Sequence, residues 1–359
     1  MAHSSTVLSQ ILRLVPRHEF QTLAQQHDGN RRKGSFSRWS QFVSLSMAQL
    51  TGRSSLRDIE MAMDSHRHIN YHLGCQPVKK STLARCNENL SGDFYQALFY
   101  KLYQRCSNLL PGRSFRLKNK LFSIDSSIID VSMKIFPQAN YNTMKAAYKL
   151  HIGLDHDGMI PAFATVTHGK ESDMSQARLF QFPKGSVVVF DRGYNDFSWH
   201  NLLTDKGISF VTRIRANALY KVLERRSCSK YDCVTSDQLI EYTGAKAKKE
   251  HLHPVRRIGY KDSETGKHYV FITNNMDWSP DTVASIYKQR WQVELFFKWI
   301  KQNLKIKSFI GNTENAVKTQ IFSALCVYML LAFIRFQSKA EYSFQKVLRL
   351  IQVNAFSKK

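Results

Sequence analysis

Over the first 118 residues, apolar side chains recur at three- and four-residue intervals. Residues 6–14, 19–26, 37–50, 55–63 and 81–110 follow this helical period, most with Ser or Thr near the start. From about residue 121 the pattern changes to short, β-branched, apolar or alternating runs. These predict strands over 122–131, 148–154, 160–166, 187–190 and 208–213, with helices over 172–180 and 197–206. His156-Asp157-Gly158 predicts a hairpin turn between the second and third strands. Residues 216–279 break the plan. Polar, β-prone pieces at 257–260 and 268–273, joined by a loop at 262–266, predict a β-rich insertion. Residues 281–304 then run without Gly or Pro and predict a long helix beginning just after Pro280. The most apolar late stretch, 321–336, is interrupted by Ser323 and closed by Arg335, which favours a buried helix over a membrane span.

Chemistry gathers at three places in this pattern. On the long helix, Tyr287, Arg290, Glu294 and Lys301 are spaced so that, at about 100° per residue, they share a stripe roughly 60° wide. Val293, Phe297 and Ile300 lie to one side of it, ready to face a core. A lone Glu on a basic helix is ordinarily a solvated salt-bridge partner. Two strands change that reading, because each carries an Asp. Asp125 sits within the run Phe122-Ser-Ile-Asp-Ser-Ser, and Asp191 closes the apolar run Val187-Val-Val-Phe190. An Asp on a buried strand is costly unless it is paired or binds a metal. Two strand Asps followed by a helix Glu supply the hard oxygen ligands that Mg²⁺ or Mn²⁺ needs for phosphoryl transfer.

In these residues the chain resembles a bacterial insertion-sequence transposase of the DDE type, in the insertion-sequence-four family. That family's Tyr-x2-Arg-x3-Glu-x6-Lys signature is matched by Tyr287, Arg290, Glu294 and Lys301. Its Asp-x-Gly-Tyr pattern is matched by Asp191, Gly193 and Tyr194, and its first acid maps to Asp125. The resemblance covers nearly the whole chain. It implies an α/β fold: a ribonuclease-H-like catalytic core, interrupted by a β-rich insertion and preceded by an all-α N-terminal domain. On this reading, residues 1–118 form the helical DNA-binding domain and 119–215 the first part of the core. The insertion is 216–279, the second part of the core 280–336, and the C-terminal tail 337–359.

Composition agrees with a polyanionic partner. The net charge is +24, from 52 basic and 28 acidic side chains, and nucleic acid is the commonest partner for such an excess. Residues 1–118 carry 17 basic against 7 acidic side chains, and residues 213–267 carry 13 against 7. Arg31-Arg32-Lys33 and Lys246, Lys248 and Lys249 form local clusters. Lys79 and Lys80 precede a helix start at Ser81, a placement suited to phosphates, and Arg85 and Asn87 on that helix are positioned to reach base edges. The six scattered cysteines suit a reducing cytosol better than a disulfide framework. Cys228, Cys233, His251 and His253 match no common structural zinc spacing. His151 and His168 read as sheet or loop histidines.

The functional expectation is a DNA-cutting and DNA-joining enzyme. Asp125, Asp191 and Glu294 are the catalytic and metal-binding acids, holding two Mg²⁺ (or Mn²⁺) ions. Tyr287, Arg290, Lys301 and Arg192, with Lys79, Lys80 and Arg85, are the candidate DNA contacts. The resemblance implies cleavage of transposon ends, a hairpin intermediate, joining of 3′-hydroxyls to target DNA, a homodimer on paired terminal inverted repeats, a cytoplasmic, nucleoid-associated location and no membrane. A host nuclease that cuts without joining, and a non-catalytic DNA-binding descendant, are the rival readings.

Overall fold

The structure is a computed structural model. It describes residues 5–29, 36–110, 119–131, 146–230, 232–244, 250, 252–306, 309–311, 313–338 and 341–357. The basic clusters at 31–33 and 246–249, and His251, lie outside these residues.

The chain divides into two units. One comprises Met1–Pro111, Ile128–Lys149 and Phe297–Lys359, and the other Gly112–Ser127 and Leu150–Phe296. The first unit is mainly helical. Its N-terminal helices are α1 (Val7–Leu12), α2 (Arg17–Asp28), α3 (Arg38–Thr51), α4 (Leu56–Ser65), α5 (Arg67–Leu73), α6 (Lys80–Asn89) and α7 (Asp93–Ser107). Thr6, Ser37 and Ser55 cap α1, α3 and α4, each hydroxyl accepting from an amide three residues on. The long period read over 81–110 is broken where Gly92 passes against Asn315. The Asn315 amide accepts from the Gly92 N–H at 2.7 Å and donates to the Leu90 carbonyl at 2.6 Å. The second unit carries most of a nine-stranded sheet, with helices α8 (Asp173–Ala177) and α9 (Phe197–Asp205).

Further helices follow the sheet. α10 (Pro280–Gln289) and the start of α11 (Trp291–Asn303) belong to the second unit. The end of α11, with α12 (Glu314–Ser338) and α13 (Phe344–Asn354), belongs to the first. α12 is apolar on every side, so it needs cover all round. It packs against α3, α6, α7 and α13, which places the C-terminal helices in one unit with the N-terminal ones. By length and composition α12 could cross a membrane, with mean hydropathy 1.8, yet 83% of that window is buried inside the protein. Two buried polar side chains on α3, Arg38 and Gln41, are satisfied internally. Arg38 donates two 2.7 Å bonds to the Asp28 carboxylate, and Gln41 donates to Asn87 at 2.8 Å.

The sheet runs β3 (Ile160–His168), β2 (Ala146–Asp155), β1 (Leu121–Val131), β4 (Val187–Phe190), β5 (Ser209–Arg213), β9 (His268–Thr273), β8 (Val255–Lys261), β7 (Val234–Tyr242), β6 (Tyr220–Arg226). β1, β4 and β5 are parallel neighbours, and every pairing from β5 to β6 is antiparallel. Residues 216–279 therefore supply four strands that extend the sheet past β5. β4 is buried along its whole length, as a continuous apolar run on a central parallel strand should be. Val187, Val189 and Val211 form one core with Phe271, Val283 and Ile286, and this seats α10 on the sheet.

Candidate active site

The parallel register of β1 and β4 aligns Ile124 with Phe190. Asp125 and Asp191 are the next residues on each chain segment, so the two acids leave this pairing side by side. Asp125 is half-buried, and its Oδ1 accepts from the Ser126 amide at 2.8 Å. Burial pushes its carboxyl up to about 6, and the nearby charges of Asp191 and Glu294 push the same way, against Arg290. Asp191 and Glu294 are therefore both within electrostatic reach of Asp125.

Asp191 caps a 3-10 turn, Arg192–Tyr194, and accepts from the Gly193 amide. This gives the Asp-x-Gly-Tyr spacing a physical meaning. A Cβ at Gly193 would stand 2.8 Å from Asp191 Oδ1, so any other residue displaces the carboxylate. Tyr194 is buried near Ser126, the neighbour of Asp125, and burial pushes its phenol up. The motif on one strand thus stands close to the acid on the next. Arg192 itself is exposed.

The helix carrying Glu294 is not continuous as its sequence predicts. It breaks at Arg290 into α10 and α11. The Arg290 amide bonds to the Tyr287 carbonyl at 3.0 Å and the Val293 amide to the Arg290 carbonyl at 3.4 Å, three-residue steps that tighten the chain. The Gln289 carbonyl accepts from Ser123 of β1 at 3.4 Å, and Ser123 also bonds His156 Nε2 at 2.5 Å. Burial lowers His156 to about 4, so it is neutral here. None of these ties from the helix to β1 has a sequence signal.

At the break, Arg290 Nη1 lies 2.6 Å from Glu294 Oε1. Burial works against the Arg290 charge, but the bond to Glu294 and the surrounding negative charge outweigh it and raise the pKa. The Arg290 guanidinium lies 5.9 Å from the Tyr287 ring centroid, and its buried Nε has no hydrogen-bond partner among the described residues. Tyr287 packs on Phe271 with centroids 4.9 Å apart, and the charge of Arg213 lies close enough to act on its phenol. In the helical unit, Lys301 donates to the Ile128 carbonyl at 2.8 Å.

The expected N-terminal contacts fare differently. Arg85 is exposed, and so is Lys80, whose amide donates to Glu60. Lys79 is held between Glu60 at 3.0 Å and Asp64 at 3.6 Å. Asn87 is 1% exposed, with its side-chain oxygen accepting from Gln41 and its backbone carbonyl from Asn315, so it reads no base edge, whereas Arg85 on the same helix is exposed. His253 pairs with Asp205 at 2.8 Å and Cys228 bonds a backbone carbonyl.

No three His, Cys, Asp or Glu side chains among the described residues stand close enough to enclose a metal in this conformation. The donor set nevertheless fits a divalent cation. It offers three carboxylates, and Asp125 carries a raised pKa from burial and like charges, which a cation would relieve.

Comparison with known proteins places this site in context. Residues 116–330 match the family model described as Transposase DDE domain, and residues 3–76 match a model described as a domain of unknown function (DUF4372). The chain is 32% identical over 212 residues to a protein of Sinorhizobium fredii named as transposase y4zB, a match spanning 58% of this chain and 59% of that one. It is 27% identical over 263 residues to a protein of Geobacillus stearothermophilus named as the transposase for insertion sequence element IS5377, spanning 73% of this chain and 68% of that one. Among solved structures, a piggyBac transposase synaptic complex with hairpin DNA aligns with TM-score 0.46 and 11% identity, covering 98% of this chain and 80% of that one.

Proposed function

Because this chain belongs to the bacterial insertion-sequence transposases that carry a DDE domain, we propose that it cleaves transposon ends and joins their 3′-hydroxyls to target DNA, using Asp125, Asp191 and Glu294. The observation that carries this reading is the register that sets Asp125 beside Asp191, with Glu294 in electrostatic reach of Asp125. The sheet order β3-β2-β1-β4-β5, with its parallel β1, β4 and β5, supports a ribonuclease-H-like core.

Asp125, Asp191 and Glu294 would hold two Mg²⁺ or Mn²⁺ ions. Held by these carboxylates, such ions would supply activation of a water or 3′-hydroxyl and charge stabilisation for the leaving oxygen. The protein's own residues do the rest. The Gly193 amide holds Asp191 and the Ser126 amide holds Asp125. Arg290 holds Glu294 and has an unfilled Nε donor, which suits a DNA phosphate. Once Glu294 turns toward the other acids, the Arg290 fork is free to take a second phosphate oxygen. By the same resemblance, Lys301 of the helical unit is a further phosphate contact. Leaving the Ile128 carbonyl would make that contact. Arg192, exposed beside Asp191, is a further phosphate contact. A homodimer bridging paired ends, a hairpin intermediate, and a cytoplasmic, nucleoid-associated location belong to the same reading by resemblance.

The test is a strand-transfer assay in Mg²⁺ with the element's own ends. Cleavage and joining support the reading. Cleavage without joining would make the protein a nuclease, and binding without cleavage a non-catalytic descendant.

A further inference from the structure

The helical unit contains a cleft of about 270 Å³ lined by Arg13, Arg17, Trp39, Tyr71 and His72, among others. Among the described residues, no carboxylate lines it. Every one of its lining residues falls within the segment matched by the domain of unknown function. We propose that this cleft binds one nucleotide unit of DNA, with its phosphate on Arg13 and Arg17 and its sugar or base against Tyr71.

Three features carry this. The first is unspent charge. Arg38, Arg67 and Lys79 of the same unit each pair with a carboxylate, whereas no carboxylate pairs with Arg13 or Arg17 among the described residues. The second is preorganisation. The Arg17 guanidinium lies 3.7 Å from the Trp39 ring centroid, and burial lowers its pKa. That ring is fixed by its Nε1 donating to the Leu73 carbonyl at 2.8 Å and by Phe20 edge-on at 5.0 Å. An arginine so held keeps its fork of donors ready for phosphate and loses little freedom on binding. Arg17 also opens α2, whose first amides have no side-chain cap. The third is the exposed aromatic. Tyr71 is 88% exposed at the mouth of a cationic cleft. A solitary exposed ring needs no explanation, but aromatic faces beside unpaired cations are the recurring pattern of nucleic-acid grooves. The volume suits a single nucleotide unit, not a larger ligand.

The inference rests on the DNA-acting reading above, and the test separates the two. Full-length protein is titrated with a short labelled DNA duplex over a range of salt concentrations. Arg13→Gln/Arg17→Gln is compared with Arg53→Gln/Arg57→Gln, which removes the same charge from exposed sites on the same unit. Removing one phosphate-binding arginine should lower the salt-dependence slope by about one, so the cleft pair should drop it by one to two while the control pair leaves it nearly unchanged. Tyr71→Ala should weaken binding roughly tenfold without moving the melting temperature, and it carries the test if the arginine pair unfolds. Equal slopes in the cleft and control pairs, with Tyr71→Ala binding as the wild type does, would overturn the cleft. So would binding of a free mononucleotide that the cleft pair abolishes while the DNA slope stays unchanged. A wild-type protein that binds no DNA at all would instead sink the transposase reading.

Discussion

Arg290 holds Glu294 at 2.6 Å across one helical turn, at the point where the helix they share is broken. A carboxylate so engaged is not yet a metal ligand. On the proposed reading, Glu294 would exchange Arg290 for a divalent cation, and DNA would favour that exchange by offering Arg290 a phosphate.

Arg290→Ala should therefore separate metal binding from DNA handling. Glu294 loses its competing partner, so Mg²⁺ affinity in the absence of DNA should stay the same or rise. Cleavage and joining should fall, on the order of a hundredfold, because small positional errors at a reacting phosphate are that costly. Metal titration alongside nicking and strand-transfer rates checks both halves. Weaker Mg²⁺ binding in Arg290→Ala would mean that Arg290 positions Glu294 for the metal and does not compete for it.

Asp125 makes a prediction about stability. Its carboxyl titrates at about 6 in the folded protein against an ordinary value of 3.8. A raised carboxylate pKa means that the folded state binds more protons than the unfolded one between those values, so metal-free stability falls as pH rises through that window. The full difference is at most about 3 kcal/mol, and partial exposure reduces it to on the order of 1–2 kcal/mol. Asp125→Asn removes this cost. In EDTA above pH ~6 the variant should melt a few degrees higher than the wild type, with the gap closing below about pH 4. Added Mg²⁺ should raise the wild-type melting temperature and leave the variant's unchanged.

Gly193 offers a third test, since its added Cβ would meet the Asp191 carboxylate at 2.8 Å. Gly193→Ala should fold with a melting temperature within a few degrees of wild type, because the crowded atom is a side-chain tip. Catalysis should fall by roughly tenfold or more as Asp191 shifts off its cap. Full activity in this variant would show that the Asp191 position has slack.

The parts legible in the sequence were those set by local pattern. Val187 to Phe190 had to be a buried strand, and Asp191 after it had to be unusual. The pattern over 281–304 marked helix, and helix stands on either side of the break at Arg290. What stayed hidden depends on partners far along the chain. Arg290 sits at a helix break where Ser123 of β1 bonds the Gln289 carbonyl, and nothing between 281 and 304 encodes that. Asn87 looked like a base reader because its helix start was basic. It is buried, with Gln41, 46 residues away, bonded to its side-chain oxygen and Asn315, 228 residues away, bonded to its backbone carbonyl. Residues 216–279 read as β-rich from composition, but their joining of β5 through β9 is a pairing choice that no local pattern fixes.

The most direct measurement of the central claim is Mg²⁺-dependent cleavage and joining by Asp125→Asn, Asp191→Asn and Glu294→Gln, with end binding measured on the same preparations. Each change keeps the side chain's size and removes its charge. All three should lose cleavage and joining to background while binding DNA as tightly as the wild type or more so. Ordinary cleavage by any one of them would remove that residue from the site and contradict the account.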